Sequence, residues 1–169
     1  MDFPCAPPRS SSKAVYIVIA VVVAAMLAMA VVPVIGILAA IAIPNFLAMQ
    51  LRAKRSEAPT NLDAIRVAEK AYHAEWDEYL SVPLCPAMEP GREPMAFEGS
   101  CRDDWAELGW WPDGLTRCRY QVVAFNSDDW ASSDFEATAE CDIDGDGNYA
   151  LYRASKDERS MMVTDNFVY

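Results

Sequence analysis

Between Lys13 and Arg52 the chain runs for 38 residues without an acidic or basic side chain, Tyr16 being the one ionisable group within it. About 20 such residues cross a bilayer as a helix, so this run reads as a membrane segment. It is longer than one crossing needs: as a single helix it would extend about 57 Å at 1.5 Å per residue, nearly twice the hydrocarbon thickness. Two arrangements meet that length. Either one span over roughly residues 14–36 continues as an apolar helix beyond the membrane, or Pro33 turns the run into a hairpin. Val31-Val32-Pro33-Val34-Ile35-Gly36 is a poor turn, which favours the single span. A cleaved signal peptide is a third reading, with a small-residue site at Ala25-Met26-Leu27-Ala28, but its apolar core would far exceed the usual length. Cys5 precedes the run and is not placed like a lipoprotein cysteine.

Charge divides the chain at the end of that run. Residues 1–55 carry five bases against Asp2, 5 − 1 = +4, whereas residues 56–169 carry nine bases against 24 acids, 9 − 24 = −15. A strongly anionic domain repels phosphate, which excludes nucleic acid as a partner. With 11% aromatic residues and only 7 glycines, the acidic part is a folded domain and not a disordered tail.

Directly after the charge boundary, Leu62, Ile65, Ala68, Tyr72, Trp76 and Tyr79 recur every three or four residues and draw one apolar stripe along a helix. Asp63, Arg66, Glu69, Lys70 and Glu78 are expected on its polar face. Pro59 predicts a break near Ala58-Pro59, with Thr60 and Asp63 as the pair that caps the restarted helix. His73, the single histidine, lies beside the stripe and is read as a helix-edge residue and not as a ligand or base. Residues 81–115 show no sustained period. Trp105, Trp110 and Trp111 are expected to fold this loop onto the domain, the alternative being an aromatic ligand platform.

From Leu115 onward the pattern alternates. Cys118, Tyr120, Val122 and Ala124 form one apolar face, and Phe135, Ala137, Ala139 and Cys141 another. Tyr149–Ser155 and Met161–Tyr169 supply two further strands. The expected fold class is α+β, a helix packed on a four-stranded antiparallel sheet. Pairing the first two strands symmetrically about Asn126–Ser133 sets Cys118 opposite Cys141, within reach of a disulfide. Cys85 and Cys101 would then pin the irregular loop. No C-x-x-C spacing exists, so zinc is not expected, and two disulfides imply an oxidising compartment. The rival reading is four reduced thiols in a cytosolic domain.

Gly36-Ile37-Leu38-Ala39-Ala40-Ile41-Ala42-Ile43-Pro44-Asn45-Phe46 resembles the second half of the N-terminal helix of type IV pilins and type II secretion pseudopilins. The similarity continues through Arg52-Ala53-Lys54-Arg55-Ser56-Glu57-Ala58, Thr60-Asn61-Leu62, Ala71-Tyr72 and Glu78-Tyr79, covering roughly residues 28–80. Gly36, Pro44, Asn45 and Phe46 thereby become candidate residues of an assembly helix. Two family features are missing. The Gly-Phe of the peptidase site corresponds to Val22-Val23, and the Glu inside the apolar helix corresponds to Leu27. The chain therefore reads as a pilin-like protein with an uncleaved anchor. Its expected organisation is a short segment 1–13, a transmembrane and apolar helix 14–51, an amphipathic helix 52–80 and an extracytoplasmic head 81–169.

Asp142, Asp144, Asp146 and Asn148 place oxygen side chains at alternate positions around Gly145 and Gly147. Calcium takes six to eight oxygens, and a D-x-D-x-D-G loop supplies several compactly. The twelfth position would be Arg153 and not a bidentate Glu, so this is no EF-hand. Calcium-binding loops in some pseudopilin heads make calcium the cofactor that the resemblance implies. A metal-free hairpin turn is the competing reading, since Asp-Gly and Gly-Asn are favoured hairpin residues. No G-x-S-x-G, P-loop, H-E-x-x-H or deaminase signature is present, so no enzyme is expected.

Taken with the resemblance, these features imply a structural or assembly protein of a type IV pilus or secretion system. It would be a single-pass protein of the bacterial inner membrane, its head in the periplasm or outside the cell. Its partners would be other pilin-like subunits and an inner-membrane assembly platform. The alternative is a single-pass protein with a calcium- or ligand-binding head and no fibre role.

Overall fold

The computed structural model describes residues 12–129 and 132–169; Cys5 and the rest of the segment before Ser12 lie outside the described residues. Two compact units are present, one of the described residues up to Leu47 and one of Ala48–Tyr169. The first consists of the greater part of helix α1 (Ser12–Arg55). Its large apolar side chains, from Val15 to Leu47, are exposed on every side. A helix apolar all round has no single stripe to bury and suits a lipid environment. α1 passes through Pro33 and Pro44 as one helix, which overturns the hairpin alternative. Each proline removes one N–H from the ladder, while the rungs on either side persist.

Helix α1 stops at Arg55 and α2 (Glu57–Trp76) begins two residues later. Pro59 accounts for the interruption: it offers no N–H to the carbonyl four residues earlier, that of Arg55, and its ring crowds that oxygen. The break therefore falls at Ser56, upstream of the expected position. Thr60 and Asp63 do not cap the new helix. Thr60 Oγ1 donates back to the Ser56 carbonyl at 3.0 Å, and Asp63 Oδ1 accepts the Ser160 N–H at 3.0 Å.

Ala58, Leu62, Ile65 and Glu69 form the buried face of α2. Each large aliphatic side chain so placed stabilises the head by about 1.5–3 kcal/mol. Glu69 departs from its expected place on the polar face: it follows Leu62 and Ile65 at helical spacing and is fully buried. Trp76, expected on the stripe, is 60% exposed, because the helix ends there. Asp77 adopts a left-handed φ of 59° and its N–H bonds the His73 carbonyl at 2.9 Å. Tyr79 is buried from the loop that follows, its N–H and carbonyl both held by the Asn126 amide at 2.8 Å.

A five-stranded antiparallel sheet stands where four strands were expected. Its members are β1 (Val82–Cys85), β4 (Cys118–Phe125), β5 (Asp134–Cys141), β6 (Ala150–Ser155) and β7 (Met161–Met162), in the order β1-β4-β5-β6-β7. β4 and β5 pair from Cys118 opposite Cys141 to Phe125 opposite Asp134, the symmetric register about the loop. Cys118, Tyr120, Val122, Phe135, Ala137, Ala139 and Cys141 line the buried face. The added strand β1 is four residues long and contains Pro83, which suits an edge. The last strand contracts to two residues, since Asp165 Oδ1 accepts the Phe167 N–H at 3.1 Å and bends the chain away.

The stretch expected to be irregular also holds a two-stranded ribbon, β2 (Met95–Ala96) with β3 (Leu115–Thr116), and helix α3 (Ser100–Leu108). α3 starts after Gly99 and ends at Gly109, whose φ angles of 90° and 77° mark both as turn positions. Trp105 is fully buried and its Nε1–H donates to the Pro83 carbonyl at 3.1 Å. Edge-to-face contacts link Phe97, Trp105, Trp110 and Tyr120. Trp111 does not join them: it is 48% exposed, with the Arg102 guanidinium 5.6 Å from its ring centre.

Candidate functional site

The Asp-rich loop connects β5 to β6. Asp142, the residue after β5, is buried and organises the turn. Its Oδ1 accepts the N–H groups of Gly145 (2.7 Å) and Asp146 (3.1 Å), and its Oδ2 accepts that of Gly147 (3.1 Å). Such local side-chain-to-backbone bonding is what Asp contributes to tight turns. Asp146 in turn accepts the Asn148 N–H at 2.8 Å and the Asn148 side-chain amide at 2.9 Å. These bonds hold the Asp146 carboxyl below its ordinary range.

Asp144 differs from both. Its Oδ1 is buried without a hydrogen-bond partner. Burial first, and then the neighbouring Asp146 charge, push its carboxyl above the ordinary range. Carboxylate oxygens of Asp142, Asp144 and Asp146 lie within 4.8 Å of one another. The donor chemistry of these three groups fits a hard cation. Asn148, the fourth candidate, has its amide group committed to Asp146.

A residue with no spacing signature completes the loop. Arg92 Nε donates to the Asp144 carbonyl, and its side chain lies over Gly145, where an added Cβ would meet Arg92 Cγ at 3.0 Å. Arg117 fixes the Arg92 carbonyl from β3's side at 2.7 Å. Beside the loop, Arg119 bonds Glu140 at 2.6 Å and Glu89 at 3.1 Å, and Glu89 also accepts the Tyr149 hydroxyl. The Tyr149 hydroxyl bond and the Arg119 bond hold the Glu89 carboxyl low. Arg92 and Arg117 come from segments without a sustained period, whereas Arg119 faces Glu140 in the β4–β5 register.

Two disulfides tie the head, Cys85–Cys101 with Cα atoms 5.6 Å apart and Cys118–Cys141 with Cα atoms 4.3 Å apart. The first joins β1 to α3, and the second crosslinks directly opposed residues of β4 and β5.

Gly36, Pro44, Asn45 and Phe46 all lie within α1 and are exposed. No atom outside the helix backbone comes within 4 Å of a Cβ built on Gly36, and Phe46 is 61% exposed. α1 is long and apolar enough to cross a membrane.

No family model and no solved structure matches the chain. Among curated proteins, the type IV major pilin protein PilA of Myxococcus xanthus (strain DK1622) is 59% identical over 51 residues. That match takes in 30% of this chain and 23% of the relative, so the chain spans under a quarter of the length of the pilin it matches. The matched stretch lies in the N-terminal part, and an apolar helix followed by an antiparallel sheet agrees with it. Over that stretch the chain is similar to a type IV major pilin.

Proposed function

We propose that the chain is a membrane-anchored, pilin-like structural subunit. The apolar stretch of α1 would hold it in the bacterial inner membrane as a single pass, with the sheet-bearing head in the periplasm or outside the cell. Its partners would be other pilin-like subunits and the inner-membrane platform that assembles them. The 59% identity to a major pilin carries this reading, joined to a helix apolar enough to cross a membrane. Arg52 and Lys54, basic residues in the last turn of α1, suit the boundary with lipid headgroups. Mass spectrometry of the mature N-terminus, with electron microscopy of cells producing the protein, tests the proposal. Fibres containing the chain support subunit assembly; a membrane-bound chain that forms none removes the fibre role.

A second reading, a calcium-binding head without a fibre role, has its own support. Asp144 Oδ1 is buried without a donor beside two further carboxylates, and a calcium ion there would relieve both the desolvation and the mutual repulsion. Val22-Val23 and Leu27, where pilins carry Gly-Phe and Glu, also favour it over assembly. Calcium, but not magnesium, should then raise the melting temperature of the head, and no shift at millimolar calcium removes the site.

A further inference from the structure

Glu69 is a fully buried carboxyl that no ion pair among the described residues includes. Its Oε2 accepts the Leu80 N–H at 3.1 Å, while its Oε1 is buried with no hydrogen-bond partner. One turn later on the same helix, His73 Nε2 is also buried without a partner, and its ring centre lies 4.4 Å from that of Tyr79. The Tyr79 ring in turn contacts Phe135 of β5 at 4.9 Å. These groups surround the connection between the end of α2 at Trp76 and the start of β1 at Val82.

We propose that Glu69 is a proton-operated latch on this connection, closed when its carboxyl is protonated and loosened when the carboxyl ionises. A neutral carboxyl can remain beneath the sheet with the Leu80 N–H as its single bond. An ionised one, carrying an oxygen without a donor, must draw in water or a cation, and the residues covering it must move.

Carboxyl and phenol groups stand around this end of α2. Burial first, and then the charges of Asp134 in β5, Asp157 after β6 and Glu69, raise the Tyr79 hydroxyl. Burial first, and then Glu107 of α3 with Glu78, Glu69 and Glu75, raise the Tyr72 hydroxyl. β6 contributes the Tyr152 phenol and β4 the Tyr120 phenol, which bonds Asn61 and Glu57. Arg66, on the same helix, donates to the main-chain oxygens of Ser155 and Lys156. Burial pushes the Glu69 carboxyl up to about 7.

Amide hydrogen exchange on the full chain in detergent micelles, corrected for the intrinsic pH dependence, tests the latch. Between pH 5.5 and 8 the amides of residues 77–82 should lose about tenfold in protection in the wild type. In Glu69→Gln, which keeps a neutral group of the same shape, their protection should stay constant. Equal pH courses in the two proteins overturn the proposal. A carbon-13 titration of the wild-type Glu69 carboxyl needs no variant: a midpoint near 7 supports the latch, and one below 5 overturns it.

Discussion

Arg55 and Asn166, 111 residues apart, are joined by two hydrogen bonds, Nη1 to the Asn166 main-chain oxygen at 3.0 Å and Nη2 to its Oδ1 at 2.8 Å. Arg55 Nη1 also donates to the Val168 carbonyl, and the guanidinium lies 4.9 Å from the Tyr169 ring centre. The last residue of α1 thus clamps the segment after β7. Arg55→Ala removes the three hydrogen bonds of a buried guanidinium to this segment and should lower head stability by about 1–3 kcal/mol. Arg55→Lys, which lacks the planar fork, should recover only part of this, as urea denaturation would measure.

The two disulfides should be visible chemically. Thiol titration of the unreduced, denatured head should find none of Cys85, Cys101, Cys118 or Cys141 reactive. Replacing Cys118 and Cys141 together by Ala should lower stability by about 2–4 kcal/mol, since the crosslink closes a loop of 23 residues. Four reactive thiols would overturn the oxidised state.

Head stability should fall as pH rises through the Glu69 titration. The folded-state value near 7 exceeds the ordinary 4.5, so between these pH values the folded chain holds more protons than the unfolded one. The contribution is complete below pH 4.5, and by pH 7 nearly all of it has gone, a loss of up to about 3 kcal/mol. Calorimetry across pH 4.5–8 should show this slope in the wild type and a flatter course in Glu69→Gln.

Asp142 and Asp144 should separate scaffold from ligand. Asp142→Ala removes the acceptor of three N–H groups and should destabilise the loop by about 1–3 kcal/mol whether or not calcium is present. Asp144→Asn removes one charge from a crowded trio and should leave the calcium-free melting temperature unchanged or higher. If calcium binds, the same variant should abolish the calcium-dependent rise.

Gly145 has a φ of 68° and Arg92 directly over it. Gly145→Ala should cost about 1–2 kcal/mol in thermal denaturation, because left-handed backbone and a tight contact coincide. Shortening the neighbour in Arg92→Ala should remove the steric part of that cost.

The amino-acid sequence by itself determined what depends on local pattern. An uncharged run of 38 residues has no stable place in water, so α1 is apolar on every side whatever the head does. Alternation in β4 and β5 fixes which faces are buried, and pairing the strands symmetrically about the Asn126–Ser133 loop set Cys118 against Cys141. The turn role of Asp142 was likewise legible, since Asp and Gly in alternation bond their own backbone.

Tertiary structure decided the rest. Sequence pattern put Glu69 on the polar face of α2, and only the packing of the helix against the sheet determined that it is buried. β1 became a strand because β4 had a free edge to pair with, and α3 formed within a segment whose own pattern was too short to announce a helix. Arg92 over the Asp-rich loop and Arg55 against Asn166 join residues more than 50 positions apart. Contacts of that separation leave no periodic trace, because chain folding and not local propensity brings their partners together.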